Sequence, residues 1–201
     1  MNIIKECILS SVLIASGFII AAKCPSVEQQ ETADKNNLIY IEDFVPTSIK
    51  KDILQTELTA EVNRYITSKA PESKLSASLI VKHCLADSVD VILALTQCQL
   101  ESNFGTLGRA SKTNSAWNVG AWDNADHTKS INYKSVNESI PVYTKLISKK
   151  YSAADPYKNF VDDKGRRYAT DPDYEHKLLK QSNYIKSVTK IDSLQNRLNQ
   201  I

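Results

Sequence analysis

Glycine and proline are scarce, five and six residues in 201, which excludes low-complexity and collagen-like architectures. Neither sign of charge is in excess: 25 Lys and Arg stand against 23 Asp and Glu, a formal net charge of +2. A protein whose main partner is nucleic acid carries a basic surplus to neutralise phosphates, and no aromatic-interleaved basic run is present, so that class is excluded. No segment repeats at a solenoid period. Apolar runs of membrane-spanning length are missing too. The longest, within "MNIIKECILSSVLIASGFIIAAKC", extends from Ile8 to Ala22 and is broken by Ser10, Ser11, Ser16 and Gly17, which is an export-signal length rather than a comfortable span. The four cysteines give no metal-site spacing, and His83, His127 and His176 are isolated from one another.

What is present, at 42% hydrophobic content, suffices for one domain with a real core and an N-terminal extension. Residues 1–22 read first as a cleaved signal peptide ending at Ala21 and Ala22, and otherwise as an N-terminal anchor tethering the chain to a membrane. Lys23 ahead of Cys24 argues against a lipid anchor. Export to the periplasm, cell envelope or exterior is expected. Beyond Cys7 and Cys24, Cys84 and Cys98 lie in apolar helical patterns and read as buried free thiols in preference to a bridge. Nothing in the sequence fixes an oligomeric state.

Residues 23–45 include the polar "PSVEQQETADKNN" of residues 25–37 and form a tether. From 46 to 75, Ile49, Ile53, Leu58, Val62 and Ile66 recur at helical spacing behind Thr47 as an expected N-cap, an amphipathic helix that completes the core. A second helix is expected from about Ser76 to Ala86. Asp90 caps a third, "VILALTQCQLES", apolar on nearly every face and therefore central and buried. Gly105 and Gly108 are expected to end it and to open a loop running to about Asn132. Helical spacing returns near Ser139, with Pro141 in the first turn. Asp162 to Gly165 forms a turn and at most a small β-hairpin. Asp171 and Pro172 then start a last helix carrying Tyr174, Leu178 and Ile185. The fold class is mainly α.

Within this frame the informative stretch is "TQCQLESNFGTLGRASKTNSAWNVGAWDN". Glu101 projects from a helix face otherwise committed to the core, beside Cys98, Leu100 and Phe104. Position alone assigns it to solvent, as for most helix-end acids. A carboxylate partly withdrawn from water has its charged form disfavoured, which suits a general acid near neutral pH. The loop tips the balance. It supplies amides at Asn114 and Asn118, both indoles of the chain at Trp117 and Trp122, and Gly120, where backbone can approach a ligand. Amides bond sugar hydroxyls and acetamido groups, and aromatic rings cover sugar faces; Trp117 is expected to be the more buried of the two.

In order along the chain, "ALTQCQLESNFGT", "TNSAWNVGAWD", "YKSVNESIPVY" and "RRYATDPDYEHKL" resemble the glucosaminidase-type peptidoglycan hydrolases, glycoside hydrolase family 73. The resemblance covers about Ser76 to Tyr184 within a domain of residues 76–201, and "YATDPDY" is its most specific part. It implies a lysozyme-like fold with a long active-site loop, and cleavage of the β-1,4 link after N-acetylglucosamine in peptidoglycan strands. Glu101 would be the general acid, and Tyr168 the tyrosine lining the reaction centre. Lytic transglycosylase, lysozyme-like muramidase and non-catalytic glycan-binding or assembly roles are the alternatives.

A second carboxylate is not obvious. Asp123 and Asp126 fall in the loop, Glu138 lies at capping-box distance from Ser135, and an N-acetyl group of the substrate could serve instead. Loops like "NNLFGIK" are common in the family, whereas this chain has Trp117-Asn118 in place of Phe-Gly, which bears on subsite preference. No metal or cofactor is expected, since "DNADHT" lacks the spacing and closing Glu of a calcium loop.

Overall fold

Nine of the twelve residues of the central helix are buried, and the other helices are arranged around it. In the computed structural model residues 45–120 and 131–201 are described. The signal or anchor segment 1–22 and the tether up to residue 44 lie outside them. The described elements are α1 (Thr47–Lys69), α2 (Ala77–Ala86), α3 (Val91–Ser102), α4 (Ala110–Thr113), a 3₁₀ turn (Val136–Glu138), α5 (Ser139–Lys150), α6 (Tyr174–Val188) and α7 (Ile191–Asn199). The mainly α class holds.

Helix α3 starts where expected, with the Asp90 carboxylate accepting the Leu93 N–H at 2.9 Å. The Gln195 amide, carried by α7, accepts the Val91 N–H at 2.9 Å and satisfies a second orphan donor of the first turn. Ile92, Leu93, Ala94 and Leu95 are buried; each large apolar side chain withdrawn from water contributes about 1.5–3 kcal/mol. Helix α6 packs along α3, α1 packs on α2 and α7, and α5 lies against α2. Cys84 and Cys98 are free and buried, and burial pushes both thiols well above the ordinary cysteine range.

Several boundaries differ from expectation. Pro46 occupies the α1 N-cap position and makes no side-chain cap; Thr47 is the first helical residue because the fixed φ of proline suits helix entry. Helix α3 ends before the glycines, at Asn103 and Phe104, both in the left-handed region at φ 46° and 59°. Asparagine tolerates that conformation, but a bulky aromatic does so only when held. Phe104 is fully buried, edge-on to Tyr65 of α1 with ring centroids 6.0 Å apart.

Ser135 caps nothing, and Glu138 Oε2 instead accepts the Lys134 N–H at 3.0 Å. The hairpin reduces to isolated bridges, Asp155 with Asn159 and Val161 with Arg167, around a turn in which Asp162 Oδ1 accepts the N–H groups of Lys164 and Arg166. Helix α6 begins at Tyr174, later than the Asp171-Pro172 pair, and Asp171 binds the Asp173 N–H and the Lys177 ammonium. Helix α7 was not expected at all, although Ile191, Leu194 and Leu198 all enter the core.

Glu61 ties α1 to the junction of α6 and α7. Its Oε1 accepts the Lys190 N–H at 3.0 Å, and Arg64, paired with Glu61, donates to the Val188 carbonyl at 3.1 Å. The hydrogen bond from Arg64 lowers the Glu61 pKa from the ordinary 4.5 to about 2. A carboxylate depressed on folding contributes stability above its unfolded pKa, and that contribution fades as pH falls through the folded value. The melting temperature should therefore drop between about pH 4.5 and about 2. Glu61→Gln should lower it at neutral pH and flatten the drop, as read by circular dichroism melts across that range. Parallel curves for the two proteins would refute this role.

Candidate active site

The strained stop of α3 leaves the Glu101 side chain between two donors. On one side the Tyr174 hydroxyl, from the first residue of α6, donates to Oε1 at 2.8 Å. On the other, the Asn118 side-chain amide donates to Oε2 at 3.1 Å and to the Glu101 backbone carbonyl at 3.0 Å. Charge-assisted bonds of this kind are the stronger class. Glu101 is half-buried, neither sealed in the core nor free in solvent.

Each donor is itself held. Tyr174 accepts from the Gln97 amide at 3.2 Å, and Gln97 in turn accepts from the buried Tyr143 hydroxyl at 2.6 Å. Gln97 sits one turn before Glu101 on the same face of α3. The rings of Tyr174, Tyr168 and Phe160 form a continuous stack, with centroids 5.7 and 4.7 Å apart and planes 19° and 8° from parallel. Tyr151 meets Tyr168 edge-on at 5.3 Å. Glu175 accepts the Phe160 N–H and pairs with Arg167, fastening the segment before α6 onto α6 itself. Burial first, and the Glu101 charge among the further causes, hold the Tyr168 and Tyr174 hydroxyls well above the usual tyrosine range. Both therefore remain protonated donors.

The loop is pinned to α3 at successive residues. Ser102, next to Glu101 and buried, donates to the Ala116 carbonyl at 2.6 Å and accepts the Gly105 N–H at 2.8 Å. Trp117 donates its indole N–H to the Ala94 carbonyl at 2.8 Å and stacks on Tyr143 with centroids 4.6 Å apart. Asn118 follows with the Glu101 contacts.

Of the residues singled out from sequence, Glu101, Asn118 and Tyr168 come together. Trp117 does not line a cleft: at 1% exposure it is a core side chain, placed there because its indole N–H finds a buried carbonyl. Asn114, in the left-handed region at φ 56°, donates to the Tyr133 carbonyl at 2.8 Å and closes the base of the loop. Gly120 has φ 76°, and a Cβ there would stand 2.8 Å from Ile131 Cδ1, so this close approach is to the chain's own loop. Glu138 is exposed and bound to loop backbone. Trp122, Asp123 and Asp126 lie outside the described residues. Sequence reasoning missed Tyr174, Gln97 and Ser102 as site residues, although Tyr174 closes the quoted "YATDPDY" and Gln97 stands four residues before the acid. A groove lined by Gln55, Thr59, Asn63, Ser76 and Ser78 contains none of these groups. No set of three or more His, Cys, Asp or Glu able to hold a metal occurs among the described residues.

The model of the glucosaminidase family, described as mannosyl-glycoprotein endo-beta-N-acetylglucosaminidase, matches residues 77–187. Among solved structures, the catalytic domain of the autolysin Auto from Listeria monocytogenes is similar at 16% identity and a TM-score of 0.39, over 82% of this chain and 97% of that one. No curated protein matches the chain.

The placement of Trp117 makes a specific demand. Trp117→Phe keeps an aromatic ring beside Tyr143 but removes the bond to Ala94 and some ring volume. It should destabilise the protein by about 1–3 kcal/mol in urea unfolding and leave the affinity for chitooligosaccharide unchanged. Weakened sugar binding with unaltered stability would restore the cleft role.

Proposed function

The chain belongs to the glucosaminidase family, and on that premise we propose that this glycoside hydrolase is exported and cleaves the β-1,4 bond after N-acetylglucosamine in peptidoglycan, with Glu101 as the general acid. The observation that carries the reading is the Glu101 carboxylate held between the Tyr174 hydroxyl and the Asn118 amide at the end of the buried helix. Export rests on the apolar segment of residues 1–22.

The chemistry follows from what those groups can do. Protonated Glu101 gives its proton to the glycosidic oxygen as the bond to the anomeric carbon breaks, so the leaving sugar departs as an alcohol. The carboxylate left behind is then stabilised by two donors already aimed at it, which costs no reorganisation at the moment of reaction. Tyr168, a neutral hydroxyl stacked on Tyr174, lines the reacting sugar. The second group is drawn from Asp123 and Asp126 of the loop, either of which could activate water, from Glu138, or from the substrate's own acetamido oxygen.

Protein lacking residues 1–22 should solubilise cell-wall sacculi and release fragments with reducing N-acetylglucosamine ends by mass spectrometry. Glu101→Gln should lower kcat by about 10²–10⁴-fold, and Tyr174→Phe by about tenfold. Anhydromuramic ends would assign a lytic transglycosylase instead, and reducing muramic ends a muramidase. Chitooligosaccharide binding without cleavage would assign a glycan-binding protein. Full turnover by Glu101→Gln would remove the acid from Glu101.

A further inference from the structure

Asn118 stands in a place where an asparagine is locally unfavourable. Its φ of 49° lies in the left-handed region, which glycine occupies at no steric cost and which asparagine tolerates better than most residues. Its side-chain Oδ1 is buried and has no hydrogen-bond partner among the described residues, a state that costs free energy. The orientation of the amide is nonetheless unambiguous. Both of its partners among the described residues, the Glu101 carbonyl at 3.0 Å and the Glu101 carboxylate oxygen Oε2 at 3.1 Å, are acceptors, so Nδ2 faces them and Oδ1 faces away. Glycine here would relieve the backbone and remove a buried polar oxygen.

Among the described residues, what the asparagine side chain bonds in return is Glu101 alone. The backbone path at this point does not depend on the side chain, because the Asn118 N–H bonds the Ser115 carbonyl at 2.9 Å and Trp117 is anchored separately on Ala94. The bond to the Glu101 carbonyl fixes the amide against the end of α3, and the bond to Oε2 fixes the carboxylate against the amide. One Nδ2 thus references the side chain of Glu101 to its own main chain. With Tyr174 on Oε1, this leaves the carboxylate little freedom about χ3.

We propose that Asn118 is a positioning residue for the reaction: it trades local stability for the orientation of the Glu101 carboxylate, and so sets turnover rather than substrate affinity. The proposal rests on Glu101 being the acid. Misplacing a reacting group by about 1 Å costs on the order of 10²-fold in rate, and a lost bond to a carboxylate still held by Tyr174 should cost somewhat less.

The test uses the full chain, sacculi or a soluble glycan fragment, and three variants. Asn118→Gly is expected to lower kcat about 10- to 100-fold with KM within twofold of the parent, while the melting temperature stays level or rises. Asn118→Asp keeps the size and the tolerance for positive φ but replaces the donor with an acceptor, and should lose kcat at least as strongly. Wild-type kcat in Asn118→Gly overturns the proposal, as does a loss carried by KM or matched by a fall in melting temperature. Glu101→Gln separates the two readings. If it is inactive while Asn118→Gly turns over normally, the positioning role alone fails; if it is active, both readings fail.

Discussion

The hydrogen bond from the Tyr174 hydroxyl to Glu101 joins two packed helices, α3 and α6, at the point where α3 stops. The rest of the structure maintains that meeting. Helix α1 supplies Tyr65, whose ring buttresses Phe104 and whose hydroxyl donates to Gln99 at 2.7 Å. Helix α6 answers with Gln181, whose amide donates to the same Gln99 oxygen at 2.8 Å and to the Tyr65 hydroxyl at 3.1 Å. Gln99 is therefore clamped from both sides two residues before the acid. The left-handed residues that follow are tolerable because Phe104 is buried, and their conformation turns the chain away before solvent-facing helix can continue past Glu101. Residues 77–187 carry the family match, yet Tyr65 lies outside that range and supports the site from beneath.

Buried polar groups are costly unless every member has a partner, and the line from Tyr143 through Gln97 and Tyr174 to Glu101 meets that condition. Its inner end is also its most rigid: Tyr143 is stacked on Trp117, and Trp117 is bonded to the backbone of α3. The loop that bears Asn118 is fastened at Trp117 as well. One indole thus stabilises both arms that reach the carboxylate, the tyrosine arm through Tyr143 and the amide arm through the chain direction at the next residue. A tryptophan of the loop thus supports the surroundings of Glu101 from within the core.

The parts of this arrangement that could be read from sequence are those governed by period and cap. The apolar run after Asp90 and the cap itself define the start of α3, and the isolated acid at its end stands out for that reason. The stop was misplaced because glycine is the usual left-handed residue, and only the tertiary contact of Phe104 with Tyr65 lets non-glycine residues take that role. The four-residue step from Tyr174 to Leu178 assigns Tyr174 to the apolar face of its helix. That assignment is correct for its ring and silent about its hydroxyl, which is directed by tertiary packing. Trp117 shows the converse: composition marked the residue, while its direction depended on a carbonyl one α3 turn away from Gln97 that no local pattern reveals. Helix α7 escaped notice because three apolar residues in a short, polar segment carry little weight until Gln195 is seen capping α3.

The two donors on Glu101 differ in what they permit. The Asn118 Nδ2 can only donate, so Oε2 remains an acceptor toward it in every protonation state. The Tyr174 hydroxyl can donate or accept, and so can the Tyr143 hydroxyl; the Gln97 amide between them offers a donor at one end and an acceptor at the other. With Glu101 ionised, the bonds run outward from Tyr143 to Gln97 to Tyr174 to the carboxylate. On the proposed role of Glu101 as the acid, the two arms divide the work: Asn118 keeps the carboxylate in register, and the line from Tyr143 through Gln97 to Tyr174 stabilises the charge that remains once the proton has gone to the substrate.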